Sequence, residues 1–157
     1  MKQLKISKKT AVKLHPEAPE WFREVLNETF GENTFKPRDW KDIKTFEDAC
    51  DALGISTNSH TPIFDEDEAA DEIAYKKLKV IVAAINQGWV PDWTNSDQYK
   101  YYPWFNLSSG SGFSVHGYGD DFSYSSVGSR LCFESKEKCL YAAEQFKDIY
   151  EDFFIIK

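Results

Sequence analysis

The chain has one methionine, three cysteines and eight glycines in 157 residues, and each scarcity narrows what it can be. Cys50, Cys132 and Cys139 are too few and too odd in number for a disulfide framework, and no two of them form a Cys-x-x-Cys pair. His15, His60 and His116 are scattered, so no zinc pattern results, and reduced thiols of an intracellular protein are the simplest reading. The longest apolar run, residues 80–85, is far short of the roughly 20 residues that span a bilayer. No apolar stretch follows the basic first residues, so no secretory leader is expected. Positive charge is also in deficit. A formal charge of −7 disfavours general attraction to DNA, RNA or anionic lipid. Missing too are a phosphate-cradling glycine loop, a Ser or Cys nucleophile motif and a helical His-Glu-x-x-His. The expectation is a cytoplasmic protein with no cofactor and no membrane contact.

What the chain does have is rings. Apolar residues make up 41%, aromatics 16% and charged residues 29%, which suits one globular domain over residues 1–157. Between Gly88 and Glu134 lie 12 of the 25 aromatic residues and six of the eight glycines. Rings at that density either pack a small core or form a surface that grips something.

Residues 1–14 carry five lysines and no acid, and Leu4 and Ile6 alternate with polar neighbours, so a basic arm or a short edge strand is expected. Residues 15–87 read as mainly helical. Phe22, Val25, Leu26 and Phe30 share one face of a helix over 17–30, stopped by Gly31. Thr45 caps a short helix over 46–53, answered by Asp48, and Gly54 ends it. Residues 55–64, broken by Pro62, read as a loop. The strongest element is a helix over 66–87: Asp65 and Glu68 form its cap, Ala70, Ala74, Leu78, Ile81 and Ile85 its buried stripe, Gly88 its end. From there the period changes to two. Strands are expected at about 100–107, 113–118 and 129–134, with 108–112 as a hairpin turn. In the middle strand Phe113, Val115 and Gly117 point one way and Ser114, His116 and Tyr118 the other. Ser135 caps a closing helix to about 152, with Cys139, Ala142 or Ala143, Phe146, Ile149 or Tyr150 and Phe153 on its buried face. The apolar tail 154–156 must pack, or join a second copy in a homo-oligomer. The fold class is α+β: N-terminal helices, then a three-stranded antiparallel meander packed against a long helix and a C-terminal helix.

Three stretches carry a resemblance. Residues 86–93 (Asn-Gln-Gly-Trp-Val-Pro-Asp-Trp), 101–105 (Tyr-Tyr-Pro-Trp-Phe) and 127–133 (Val-Gly-Ser-Arg-Leu-Cys-Phe) ahead of a helix resemble an uncharacterised family of small proteins from Bacteroides-type gut bacteria and their phages. Residues 45–50, before Leu53 and Gly54, are similar to the front half of the same proteins. The resemblance implies a cytoplasmic accessory protein of a mobile element, and brings no activity or site residues with it.

Three function classes compete. Trp93, Tyr102, Trp104 and Tyr118, with His116, Asp120 and Arg130, would form a binding surface on the meander. Another protein suits it better than a phosphate polymer, because residues 88–134 hold only Lys100 and Arg130 against five acids. That surface requires Trp93, Trp104 and Tyr118 to reach solvent. His116 with Asp120 and Asp121 would be a metal-assisted or acid–base hydrolase site, although an Asp pair beside glycines is also ordinary turn chemistry. The N-terminal lysines would make a nucleic-acid-associated accessory protein, although a terminal charge run is more often a solvated tail. Arg130 is expected to pair with Asp120 or Asp121. The binding module is the favoured reading.

Overall fold

The computed structural model describes residues 5–35, 39–55, 67–108 and 112–156. Ser7 opens the first helix, α1 (Lys8–Leu14), by accepting the Thr10 amide at 3.2 Å. Residues 8–14 are therefore helical, neither arm nor edge strand, because the Ser7 cap offsets a poor apolar pattern and Ala11 is buried. Lys2 and Leu4 lie outside the described residues. In α2 (Glu20–Phe30) only Leu26 of the expected face is buried, whereas Val25 is exposed and Trp21 is 65% exposed. The main neighbours of α2 are the single 3-10 turns at residues 15–17 and 32–34, so among the described residues no second layer covers Val25.

Short-range signals hold well in α3 (Phe46–Ala52). Thr45 accepts the Asp48 amide at 3.1 Å and Asp48 accepts the Thr45 amide at 2.9 Å, the reciprocal cap read from the sequence. Of the loop expected at 55–64, only Ile55 is described. The long helix α4 (Ala70–Asn86) starts four residues later than expected, after Ala69, which makes no side-chain cap. Asp65, the expected cap, lies outside the described residues, and Glu68 instead reaches Lys76. Ala74, Leu78, Ile81 and Ile85 are buried as the stripe requires, joined by Val82 and Ala84, while Ala70 is exposed.

Among the described residues the sheet has two strands, β1 (Lys100–Asn106) and β2 (Ser114–Asp121), paired antiparallel. The third strand expected at 129–134 does not form. Leu131, Cys132 and Phe133 are buried, yet only Phe133 pairs with the sheet, exchanging N–H···O bonds of 3.0 and 2.7 Å with Tyr101. The Asn86 side chain replaces further strand pairing: its amide N–H donates to the Cys132 carbonyl at 2.9 Å and its oxygen accepts the Glu134 amide at 3.2 Å. The closing helix is also two helices, α5 (Lys136–Gln145), capped by Ser135, and α6 (Lys147–Phe154). The break falls at Phe146, whose ring is buried while its backbone leaves the helical region at φ −115° and ψ 27°.

α4 packs on α3 and α6, and α5 lies against both strands. The core between them gathers Leu78, Ile81, Ile85, Phe133, Ala142 and Tyr150. Phe105 of β1 closes it, with its ring 4.9 Å from Tyr150 and 5.6 Å from Phe154. Phe154 of the apolar tail is thereby used within the fold, and Ile156 is left projecting. All three thiols are buried. Burial pushes the Cys132 thiol up to about 11 and the Cys139 thiol higher still, which favours the uncharged form that packs in the core. No described helix is long and apolar enough to cross a membrane.

The Tyr150 hydroxyl is fully buried with no hydrogen-bond partner among the described residues. A buried donor left unmade costs more than an apolar atom in the same place. Tyr150→Phe should therefore stabilise the protein by about 1 kcal/mol, read as a higher urea midpoint with an unchanged slope. A drop in the midpoint would mean the hydroxyl has a partner.

Candidate functional site

The hairpin is where the aromatic sequence becomes a surface, and its register decides which rings share a face. Tyr102 stands opposite Gly119 and Trp104 opposite Gly117, so on one face two rings lie across two glycines. An ideal Cβ at Gly119 would come within 2.5 Å of the Tyr102 ring. The glycine is therefore the floor on which that ring lies. Tyr102 and Trp104 stand side by side, centroids 6.4 Å apart, and Trp104 is 52% exposed.

The opposite face turns inward. It carries Tyr101, Pro103 and Phe105 of β1 against Asp120, Tyr118 and Val115 of β2. The register slips between Trp104 and Phe105 and leaves His116 as the extra residue of a β-bulge. Simple alternation fails there: Val115 and Gly117 lie on different faces, contrary to the even two-residue period expected. Tyr118 packs on Tyr101 at 5.7 Å and is still 40% exposed.

One end of the outer face is closed by a knot that the sequence did not advertise. Lys100 opens β1, is 1% exposed, and sends its ammonium into a ring of main-chain carbonyls. Asp92 and Gln98 accept at 2.5 Å and Phe122 at 3.0 Å, with Asn95 at 3.4 Å. The same ammonium lies 5.2 Å from the Trp93 ring centroid, and the Trp93 indole N–H donates to Ser129 at 2.7 Å. Lys100 thus binds residues 92–98 and 122 to the hairpin and holds Trp93 half-buried at its end. Two carboxylates beside it are stabilised as anions. Asp92 is held below the usual carboxylate range by the Thr94 hydroxyl and amide, and Asp121 by the Ser123 and Tyr124 amides.

The expected site residues do not all converge. Trp93, Trp104 and Tyr118 all reach solvent, which the surface required. Tyr102 and Trp104 share the outer face; Tyr118 and Asp120 belong to the other. His116 and Asp120 are both exposed, four residues apart along β2, about 13 Å at an extended rise. Asp121 is occupied in its turn, accepting the Ser123 amide at 2.7 Å and that of Tyr124 at 2.9 Å. Arg130 is exposed in a turn and forms no ion pair among the described residues, so the expected link to Asp120 or Asp121 is absent. No group of three or more His, Cys, Asp or Glu side chains is placed to hold a metal among the described residues.

No family model, curated protein or solved structure matches the chain. The site's chemistry therefore has to be read from its own geometry.

That geometry includes rings the sequence reading passed over. Tyr99, Phe122 and Tyr124 are exposed near Lys100, with Tyr99 and Phe122 edge to face at 6.0 Å, and Leu107 is exposed beyond Trp104. Carrying the β2 alternation past Asp121 would have marked Phe122. Beside Trp104 runs an apolar groove of about 240 Å³ walled by Pro103, Trp104, Phe105, Leu107, Val127 and Phe154. β2 contributes none of its wall residues, so the groove follows the side of β1 that the missing third strand would have occupied. Tyr101 turns its N–H and C=O outward to Phe133, and by alternation that same side carries the carbonyl of Pro103, which has no N–H, and the N–H and C=O of Phe105.

The glycine floor is testable. Gly119→Ala should cost about 1–2 kcal/mol and swing Tyr102 off the sheet. In a Tyr102→Ala background the same substitution should cost nearly nothing, a coupling that a double-mutant cycle measures directly. Additive costs would show that the ring and the glycine do not act together.

Proposed function

We propose that this chain is a non-catalytic binding module that takes an extended segment of another protein into the groove between Trp104 and Val127. The supporting observation is the coincidence of an exposed ring, an apolar groove and, among the described residues, a strand edge of β1 that pairs at Tyr101 and not at Phe105. An added strand would satisfy the outward main chain of Phe105, and its alternate side chains would meet Phe105, Val127 and Phe154. Trp104 is the anchor, because large rings at a desolvated edge dominate interface energetics. The surrounding acids and the net charge of −7 favour a protein over a phosphate polymer. The cytoplasm of a bacterium carrying a mobile element is the setting this reading takes from the resemblance of its Trp- and Tyr-rich segments.

Affinity capture from such a host lysate at two salt concentrations tests it. The wild type should retain the same protein at both. Trp104→Ala should lose it, by about 30-fold or more in affinity if the ring is worth 2 kcal/mol. Capture unaffected by Trp104→Ala would overturn the reading. So would recovery of nucleic acid whose binding falls steeply with salt.

A further inference from the structure

A second concavity lies away from the hairpin, among α1, α3 and α4. It has a volume of about 410 Å³, larger than the groove beside Trp104 and within the range that holds small ligands. We propose that it binds a small organic cation with a flat apolar body, a ligand distinct from the protein segment taken by the hairpin. The two sites share no wall residue.

Polarity sets the charge of the ligand. The carbonyl end of α4 reaches the cavity through Ala84, Gln87 and Gly88, and that of α3 through Ala52 and Leu53. The C-terminal ends of helices carry partial negative charge and favour cations nearby. Asp51 adds a full negative charge to the same wall, and a cation already answers it: the Lys8 ammonium lies 3.6 Å from its Oδ1. That distance is a loose ion pair and not a close hydrogen bond, so a ligand ammonium could take its place at Asp51.

The flat body follows from the rest of the lining. His15 and Phe35 are stacked face to face, centroids 4.0 Å apart and 7° from parallel, and both line the cavity. His15 is fixed in that pose by a 3.0 Å hydrogen bond between its Nε2 and Asn27. A cationic amine gains from an aromatic face within reach, and an apolar ring gains from the Val12 and Ile43 side chains beneath. One further feature marks this wall. Gln87 is the one non-glycine residue among those described with a positive φ, 52°, a left-handed conformation that glycine adopts at lower cost.

Amide correlation spectra of the full chain, titrated with phenethylammonium, read the proposal. The neutral isostere 2-phenylethanol and the anion 3-phenylpropionate serve as controls. Phenethylammonium should shift His15, Asp51, Leu53, Gln87 and Gly88, and bind about tenfold or more tighter than 2-phenylethanol. The anion should leave those amides in place. Asp51→Asn should weaken phenethylammonium about tenfold, while Lys8→Ala, which removes the resident cation, should tighten it. Trp104→Ala should change neither result, which separates this site from the hairpin. Equal binding of the three probes would overturn the proposal. So would an unchanged affinity in Asp51→Asn whose unliganded spectrum is that of the folded protein.

Discussion

Lys100→Met should destabilise the protein by about 3 kcal/mol, a fall of roughly 6–12 °C in melting temperature for a domain of this size. Methionine fills much of the lysine's volume, so the loss comes from the ammonium. Its three N–H groups meet three carbonyls within 3.0 Å, and without them those acceptors need water that a side chain 1% exposed does not admit. Lys100→Arg should fail as well, because a planar guanidinium cannot turn its donors toward carbonyls from residues 92, 98 and 122 at once. Hydrogen exchange should quicken first in residues 92–98 and at 122, ahead of α4, since the knot fastens those segments and not the core. Uniform acceleration would mean that Lys100 supports the whole fold instead. Acid should loosen the same end. Asp92 and Asp121 hold folded values below the ordinary carboxylate range, so their contribution is complete above that range and lost as pH falls through the folded values.

The knot shows why part of this site could not be read from the sequence. Lys100 stands out there only as a rare base among acids, a pattern that fits a solvated surface. Its burial depends on carbonyls from three places in the chain, and no local pattern encodes their meeting. Where the signal is local, the sequence reading and the structure agree. Thr45 with Asp48, and Ser135 ahead of α5, are caps fixed by spacing alone. The stripe from Ala74 to Ile85 is fixed by helical period. Where the reading failed, burial was right and backbone was wrong. Leu131 and Phe133 are inside as an alternating strand demands, yet their main chain meets an asparagine side chain and one residue of β1. The bulge at His116 put Val115 and Gly117 on opposite faces, and the glycines at 117 and 119 were its available signal. Val25 was assigned to a core that is not there, because amphipathic spacing names a face without naming what covers it. Nothing in the Phe146 neighbourhood, neither glycine nor proline, announces the break between α5 and α6. The α1–α3–α4 cavity was out of reach for the same reason as the knot: its walls come from five separated stretches of chain.

Asn86→Leu should cost about 2–4 kcal/mol and should also weaken the hairpin's grip on its partner. The side chain is 6% exposed at the last turn of α4 and acts as a surrogate strand, donating to Cys132 and accepting from Glu134. Leucine keeps its branched outline and removes both bonds, leaving the buried Cys132 carbonyl and the part-buried Glu134 amide without that partner, each loss costing about 1–3 kcal/mol. The functional effect follows from position. The stretch 127–133 supplies Val127 to the groove wall, Ser129 to the Trp93 indole and Phe133 to the bridge with Tyr101 on that side of β1. Released from Asn86, this stretch can move off β1, and the groove beside Trp104 loses a wall. Melting and partner capture should therefore fall together in Asn86→Leu, whereas Trp104→Ala should lose capture with melting nearly unchanged, its ring being 52% exposed. If Asn86→Leu melts early but captures its partner normally at low temperature, the 127–133 stretch is held by its own buried Leu131, Cys132 and Phe133, and the asparagine serves α4 alone.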